Sequence, residues 1–240
     1  MKKLLISAGI IIGILFALLM IARLTGALMF YKNPTPANEP TIKVGEQILA
    51  TNLESPQRGK FIIYTNDATD SMGPPSPDGQ VMHSNYVKRL CGMPGDILEM
   101  KRGVLFVNGK NFDENLVLKA FYKSTIADLE KAGYNLDSAR NTAMPELIQQ
   151  QGEEVMVCLD DREAASLKKQ ISLERYTDTT LYHVFGWLKL DTGFTIDDWG
   201  PITVPANHYF VLGDNRHNTL DSRYVGFINK ADCKAVVLRK

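Results

Sequence analysis

Two stretches of the sequence hold side chains that can do chemistry together. Residues 213–223 read Gly-Asp-Asn-Arg-His-Asn-Thr-Leu-Asp-Ser-Arg and directly follow the apolar run 209–212. Carboxylates and guanidinium groups so close in sequence favour charge-assisted hydrogen bonds that fix the shape of a loop. A loop solvated on all sides is the alternative. We therefore predict structural ion pairs that involve Asp214, Arg216, Asp221 and Arg223.

The second stretch surrounds Lys88, in the run Tyr-Val-Lys-Arg-Leu-Cys-Gly-Met-Pro-Gly-Asp of residues 86–96. A lysine accepts a proton only when its amine is neutral, and burial among apolar side chains lowers its pKa toward that state. Residues next to it in sequence, such as Val87, point to the other face of a strand, so the burying groups must come from elsewhere. A surface lysine on an edge strand is the alternative interpretation.

Both stretches resemble the boxes of type I signal peptidases, the S26 family. Residues 213–223 match the form Gly-Asp-Asn-Arg-x-Asn-Ser-x-Asp-Ser-Arg, with Thr219 as a supporting hydroxyl where the family has serine. Residues 86–96 and 103–109 are similar to the family's lysine box and the strand after it. Residues 199–205 are similar to the family's approach to the first box. A chance match of this length is very rare.

The resemblance implies roles for several residues. Lys88 falls on the family's general base, and Arg89 on a structural partner of Asp214 or Asp221. Thr35 falls on a serine that assists the oxyanion hole. The implied reaction is endoproteolytic removal of signal peptides by attack of a hydroxyl, with no metal or organic cofactor. The implied partners are preproteins that carry a signal peptide and lie extended beside an edge strand, with small side chains in shallow pockets.

The sequence departs from the family at the position of the nucleophile. The family's serine lies in a box like Ser-x-Ser-Met-x-Pro-Thr-Leu, and residues 35–42 read Thr-Pro-Ala-Asn-Glu-Pro-Thr-Ile. The shared Pro-Thr pair sets the register, so Ala37 falls on the nucleophile and Asn38 on the methionine. An alanine cannot attack a carbonyl, and loss of a hydrolase nucleophile costs turnover on the order of a million-fold.

Three interpretations of Ala37 stay open. The chain is a non-catalytic homologue that binds extended peptides, or another hydroxyl has replaced the serine, or the alanine is an engineered trap. The second change, at Asn38, argues against a trap. Ser71 is the leading substitute because it lies in a Ser-Met pair, although no Pro-Thr follows at the family's spacing. Thr35 and Thr41 are displaced from the expected position.

An apolar run near the N-terminus predicts a membrane anchor. Residues 4–22 contain no charge over 19 positions, and about 20 helical residues cross a hydrocarbon core. A cleaved signal peptide, with an apolar stretch of about 7–15 residues, is the alternative. Lys2 and Lys3 favour a cytoplasmic N-terminus, although Arg23 and Lys32 follow the run. We predict a single-pass protein of a bacterial-type plasma (inner) membrane, with the lipid bilayer as a partner and the C-terminal domain outside.

The rest of the sequence predicts a mainly β, signal-peptidase-like fold with an inserted α+β cap, preceded by one transmembrane helix. Strands are predicted at 47–51, 60–64, 86–91, 96–100, 104–107, 202–204, 208–212 and 235–238, with a hairpin at the Asn-Gly pair 108–109. Helices are predicted at 124–132, 145–151 and 160–171, an extended segment at 33–40 and a loop at 67–79. The predicted parts are an anchor (1–31), a β core (32–110 and 199–240) and the cap (111–198).

Composition argues against other classes of protein. The chain has 27 basic and 27 acidic residues and no basic run, so a nucleic-acid partner has no electrostatic support. A self-cleaving regulator of the LexA type shares serine–lysine chemistry, but the apolar run and the lack of a DNA-binding helix pair disfavour it. Cys91, Cys158 and Cys233 fit no zinc spacing. We predict free thiols, with one disulfide as the alternative.

Overall fold

The computed structural model describes residues 2–72, 83–140, 149–178 and 193–239, which are mostly antiparallel β-structure. The strands are β1 (Met29–Lys32), β2 (Gln47–Thr51), β3 (Phe61–Tyr64), β4 (Tyr86–Gly92), β5 (Ile97–Lys101), β6 (Val104–Val107), β7 (Lys110–Asn111), β8 (Lys119–Thr125), β9 (Gln149–Gln151), β10 (Glu154–Asp160), β11 (Glu174–Arg175), β12 (Trp199–Thr203), β13 (His208–Leu212), β14 (Ile228–Asn229) and β15 (Cys233–Arg239). The α-helices are α1 (Lys2–Leu24), α2 (Asp67–Met72), α3 (Ile126–Lys131), α4 (Leu136–Arg140), α5 (Asp161–Leu167) and α6 (Ser222–Val225). Single 3₁₀ turns span Pro36–Asn38 and Lys230–Asp232.

The largest sheet has seven strands in the order β1-β2-β15-β3-β4-β13-β14. Its central strand β3 is apolar throughout because both of its faces are buried. Ile62 and Tyr64 point into one apolar cluster, and Phe61 and Ile63 point into another, as the period of two in a strand requires. A second sheet, β12-β5-β6-β7, packs a further cluster that includes Trp199 and reaches β13.

The third sheet, β11-β8-β10-β9, lies in the segment between β7 and β12, and we call it the inserted sheet. Alternate residues of β8 and β10 are buried and pack against helices α3 and α5. This segment therefore has an apolar cluster of its own, as an α+β composition suggests. The division of the chain into domains stays a prediction.

Several local predictions are confirmed. Asn108 and Gly109 both have positive φ, 51° and 76°, as a two-residue hairpin of type I′ requires between β6 and β7. Helix α5 begins directly after Asp160, whose carboxylate accepts two backbone N–H groups and forms a capping box with Glu163. It ends at Leu167, four residues before the predicted end. All three cysteines are free.

One predicted loop contains a short helix, and one predicted helix is present but begins two residues late. The loop predicted at 67–79 begins with helix α2, because the Asn66 side chain accepts hydrogen bonds from the Thr69 N–H and hydroxyl and caps the turn. Residues 73–82 lie outside the described ranges. The helix predicted from Ser124 begins only at Ile126, because Thr125 ends β8 and its side chain accepts the N–H of Asp128.

The other predicted helix, at 145–151, lies partly outside the described residues, and residues 149–151 form strand β9. The segment 33–40, predicted as extended, contains the turn Pro36–Asn38, where Pro36 occupies a first-turn position that tolerates proline.

The segment predicted as an anchor contains two different elements. Helix α1 ends at Leu24, and Met29–Lys32 is strand β1, which pairs with β2. Gly26, with φ of +76°, lies between them. Among the described parts of the chain, no helix combines the length and the apolar character that a membrane span requires.

Candidate active site

A cleft of about 430 Å³ brings four of the predicted site residues together. They come from the turn Pro36–Asn38 and the residue before it, from β4 and from the loop after β13. The lining residues are Thr35, Pro36, Ala37, Thr69, Tyr86, Lys88, His217, Asn218, Thr219 and Leu220. Ala37 and Lys88 are 51 positions apart in the sequence, and both line this cleft. Ser71 is not among the lining residues.

The main-chain position of residue 37 is fixed from two sides. The Ala37 carbonyl accepts the N–H of Asn215 at 3.1 Å, and the Pro36 carbonyl accepts the Asn215 side-chain amide at 3.3 Å. On the other side, the Asn38 amide donates to the carbonyl of Val87 at 2.8 Å, directly before Lys88 on β4. Ala37 is 6% exposed. The cleft therefore presents a methyl group at a well-defined place.

Lys88 is a buried lysine that forms no salt bridge with any residue in the described ranges. It lies on β4 opposite Ile62 of β3 and is 6% exposed. Burial lowers the pKa of Lys88 from 10.5 to about 8, and the nearby carboxylates of Asp221 and Asp214 only partly oppose that shift. No described residue forms a hydrogen bond with its amine. A substantial fraction of the amine is therefore neutral near pH 8, as a proton acceptor must be.

The carboxylates near Lys88 each have a guanidinium partner. Arg89 holds Asp214 with two hydrogen bonds of 2.7 and 2.5 Å, and Arg223 holds Asp221 at 2.9 and 2.8 Å. Both pairs are buried. Because the arginines neutralise these carboxylates, neither is left to form an ion pair with Lys88. Of the two partners that the sequence allowed for Arg89, the structure selects Asp214.

Arg216 pairs with a residue that the sequence did not point to. Its guanidinium holds Asp113 at 2.7 and 2.6 Å, and both side chains are nearly inaccessible to solvent. The main-chain carbonyl of Arg216 in turn accepts Arg223 at 2.7 Å. The loop after β13 is thus held by three arginine–carboxylate pairs, one of which spans 103 residues.

The two threonines to which the resemblance gives supporting roles both line the cleft. Thr35 precedes the turn Pro36–Asn38, and its side chain makes no capping bond there. The Thr219 hydroxyl is buried and has no hydrogen-bond partner among the described residues. A side chain at Gly213 would collide with Thr219 and with the carbonyl of Ala37, so a glycine is required at this close approach.

The substitute nucleophiles suggested by the sequence are not placed alike. Ser71 is exposed on α2, and its hydroxyl donates to the carbonyl of Asp67 at 2.7 Å. Thr69, on the same helix, lines the cleft, but its hydroxyl donates to Asn66 at 2.9 Å. Thr41 lies by a different cleft and accepts a long hydrogen bond of 3.4 Å from Arg89.

One group of side chains could approach a metal ion. The ligand atoms of Asp67, Asp70 and His83 lie within 4.8 Å of one another. The buried Asp70 carboxylate is already engaged by the Tyr86 hydroxyl at 2.7 Å and by the N–H of Ser84 at 3.1 Å. Exposed groups of this kind are common without an ion, and nothing further marks this one as a metal site.

Comparison with known proteins gives a family match over nearly the whole chain. The family model "signal peptidase, peptidase S26" matches residues 5–238. The chain belongs to the signal peptidase family.

Relatives in the signal peptidase family come from several bacteria. Signal peptidase I P of Bacillus subtilis subsp. natto is 30% identical over 203 residues, covering 82% of this chain and 74% of that protein. Signal peptidase I of Bacillus licheniformis is 26% identical over 92% of this chain and 79% of its own length. A probable signal peptidase I-2 of Synechocystis is 22% identical over 81% of this chain, which spans 54% of that protein.

One solved structure in the signal peptidase family also matches the chain. A signal peptidase I from Enterococcus faecalis has 25% identity, covering 76% of this chain and 97% of that one. The TM-score is 0.32.

One residue of the candidate site whose side chain is buried was missed by sequence reasoning. His217 occupies the variable position of the box, lines the cleft and accepts the N–H of Phe121 at Nδ1, 2.9 Å away. A nitrogen that accepts cannot carry the proton, so Nε2–H donates to Asp197, also at 2.9 Å. The Phe121 ring stacks on the imidazole with centroids 5.5 Å apart. His217 therefore joins the box to the inserted sheet.

We expect Lys88→Met to stabilise the protein at neutral pH. The pKa of Lys88 falls from 10.5 unfolded to about 8 folded, so the burial penalty is present in full below pH 8 and is relieved as pH rises to 10.5. A shift of this size corresponds to about 3 kcal/mol. Urea denaturation should show a gain of that order at pH 7 that shrinks toward pH 10.

The matched control is Lys101→Met, at an exposed lysine on β5. It should change the free energy of unfolding little at either pH. A Lys88→Met chain that is less stable than the original, or a difference that is equal at pH 7 and pH 10, contradicts the shifted pKa.

Proposed function

We propose that this chain binds signal-peptide-bearing preproteins in the cleft of a signal peptidase and does not cut them at an appreciable rate. Family membership supports a signal-peptidase function in the broad sense. The observation that carries the narrower proposal is the pairing of Ala37 with Lys88 in one cleft. The proton acceptor is in place, and the group from which it would take a proton is a methyl.

The lining of the cleft fits a substrate with small apolar side chains. Pro36, Ala37, Leu220 and the ring of Tyr86 supply apolar surface, and the hydroxyls of the lining threonines interrupt it. A volume of about 430 Å³ accommodates a few residues of an extended peptide rather than a folded domain. Binding therefore depends on shape and main-chain contacts, which the loss of one hydroxyl leaves intact.

Loss of the hydroxyl removes the covalent step. In the family reaction, the serine that corresponds to Ala37 attacks the scissile carbonyl, and the lysine that corresponds to Lys88 takes the proton of that serine. With Ala37, no acyl-enzyme can form at that position. The expected loss of turnover is on the order of a million-fold.

A membrane location is also part of the proposal. Exposed apolar side chains from Ile10 to Ile21 lie on helix α1, and the run of residues 4–22 carries no charge, which supports an anchor. We place the N-terminus in the cytoplasm and the β-structure outside a bacterial-type plasma membrane. The full chain should float with phospholipid vesicles, and a chain lacking residues 2–24 should not. Equal flotation of both chains contradicts an anchor in α1.

A second candidate function is cleavage by a substitute hydroxyl. The observation that favours it is the retention of a buried lysine with a lowered pKa beside the hydroxyls of Thr35, Thr69 and Thr219. A signal-peptide substrate that wild type cuts and Lys88→Ala does not would support this candidate over the first.

Peptide binding tests the proposed function. A fluorescent peptide with the sequence of a signal-peptide cleavage region should bind the wild-type chain saturably, as followed by fluorescence anisotropy. Ala37→Leu should weaken binding by about tenfold or more, because it fills the cleft next to Lys88. The matched control Ser71→Leu places the same side chain on an exposed position outside the cleft and should bind as wild type does. Equal affinity for all three chains contradicts the proposal.

A further inference from the structure

Lys119 touches both separate pieces of the candidate active site. It is the first residue of β8, on the inserted sheet. Its amine donates to the Glu39 carboxylate at 2.8 Å, two residues after Ala37. Its N–H donates to the carbonyl of Asp214 at 2.9 Å, and its carbonyl accepts the N–H of Arg216 at 2.8 Å. Lys119 therefore joins the segment around residue 37 to residues 213–223.

The contact with Glu39 is more than a surface ion pair. The two side chains are 19% and 21% exposed, so solvent screens the pair less than it screens a pair at the surface. Burial is the largest single effect and lowers the pKa of Lys119, but the hydrogen bond to Glu39 and the nearby negative charges together outweigh it, so the pKa is raised overall. The ammonium is therefore held in its charged form against the carboxylate.

Neighbouring contacts reinforce the same junction. Two residues along β8, the N–H of Phe121 holds the His217 ring that lines the cleft. From β10, the Cys158 thiol lies 3.5 Å from the side-chain oxygen of Asn215, which also holds the carbonyl of Ala37 through its N–H. Among the described residues, the inserted sheet thus reaches the segment of residue 37 and residues 213–223 through Lys119, Phe121 and Cys158, and of these three only Lys119 forms an ion pair there.

We propose that Lys119 is a positioning residue of the candidate active site, through which the inserted sheet sets residue 37 at its distance from Lys88. It touches neither the substrate nor the reacting atoms. Without the ammonium, the segment around Glu39 loses its ion pair with the inserted sheet and keeps its contacts with Asn215 and Val87. Misplacement of a reacting group by about 1 Å can cost on the order of a hundredfold in rate. The inserted sheet is then part of the site.

The alkylation rate of a cysteine introduced at position 37 depends on its distance from the Lys88 amine. This measurement needs no substrate. In an Ala37→Cys chain, the Lys88 ammonium should favour the thiolate and speed alkylation by iodoacetamide near neutral pH. Peptide mapping separates this site from the native thiols, which react slowly because burial raises the pKa of Cys91 and Cys158 to about 12 and also raises that of Cys233. A chain that carries both Ala37→Cys and Lys88→Met gives the alkylation rate in the absence of the Lys88 ammonium.

We expect Lys119→Met to lower the alkylation rate at position 37 about tenfold, toward the Lys88→Met value. Glu39→Gln should act in the same direction, and Lys119→Arg should preserve most of the rate because it keeps the charge. The matched control is Lys123→Met, at an exposed lysine on the same strand. A Lys119→Met chain that behaves as Lys123→Met does would overturn the proposal.

A second measurement uses activity and rests on the proposed function. In an Ala37→Ser background, Lys119→Met should lower kcat for a preprotein about tenfold or more and leave KM nearly unchanged. If Ala37→Ser is inactive while the alkylation rates follow the expected order, the part of the proposed function in which Ala37 alone prevents cutting fails, and the positioning role stands. If the alkylation rates do not depend on Lys119, the positioning role fails whatever the activity shows.

Discussion

Ala37→Ser should raise the rate of preprotein cleavage by at least about a thousand-fold over wild type. The substitution puts a hydroxyl where the cleft now holds a methyl, on a turn fixed by hydrogen bonds from Asn215 and Asn38. Full recovery of a million-fold is not expected, because Asn38 also differs from the family. The rate should increase with pH through about 8, since the Lys88 amine must lose its proton to act as base.

Two controls decide whether the gain in cleavage comes from the new hydroxyl at position 37 acting with Lys88. Adding Lys88→Met to Ala37→Ser should return cleavage to the wild-type level. Adding Ser71→Ala should leave cleavage unchanged, because Ser71 lies outside the cleft. If a folded Ala37→Ser chain does not cut, or if it cuts equally well without Lys88, Lys88 is not the base for residue 37.

Asp221→Asn should destabilise the fold by about 3–5 kcal/mol. Both partners of the pair with Arg223 are fully buried, at 0% exposure, so the variant leaves a guanidinium charge without its carboxylate in a site closed to water. The Asp221 carboxylate also accepts the N–H groups of Gly213 and Arg223. Urea denaturation at pH 7 gives the free energy of unfolding for comparison with wild type.

The control for this prediction is a pair that is open to solvent. Glu99 and Lys101 lie 2.9 Å apart with 34% and 61% of their side chains exposed. Glu99→Gln should therefore change the free energy of unfolding by no more than about 1 kcal/mol. Similar losses of unfolding free energy for Asp221→Asn and Glu99→Gln would mean that burial does not determine how much the Asp221–Arg223 pair stabilises the fold.

Features with a local physical cause could be read from the sequence. The hairpin at Asn108 follows from the positive φ that Asn and Gly tolerate, and the start of α5 follows from the capping pair of Asp160 and Glu163. The burial of Lys88 was predicted from the family box, as was the ion-paired character of residues 213–223. In these cases neighbours within a few positions, or a matched motif, carry the information.

Features that depend on distant partners could not be read in this way. Asp113 lies 103 residues from Arg216, and nothing in its own neighbourhood marks it as the partner. Ser71 resembled a substitute nucleophile because of its neighbour in sequence, but a short helix capped by Asn66 turns it to solvent and places Thr69 in the cleft. The contact of Lys119 with Glu39 likewise depends on how the inserted sheet docks.

The most direct test of the central claim is incubation of the wild-type chain, in excess over a signal-peptide-bearing preprotein, with Lys88→Ala in parallel. Mass spectrometry then follows the preprotein. We predict that wild type binds the preprotein and leaves it intact, as Lys88→Ala also does. Cleavage at the end of the signal peptide by wild type, and not by Lys88→Ala, would contradict the claim that Ala37 leaves this signal-peptidase cleft without a nucleophile.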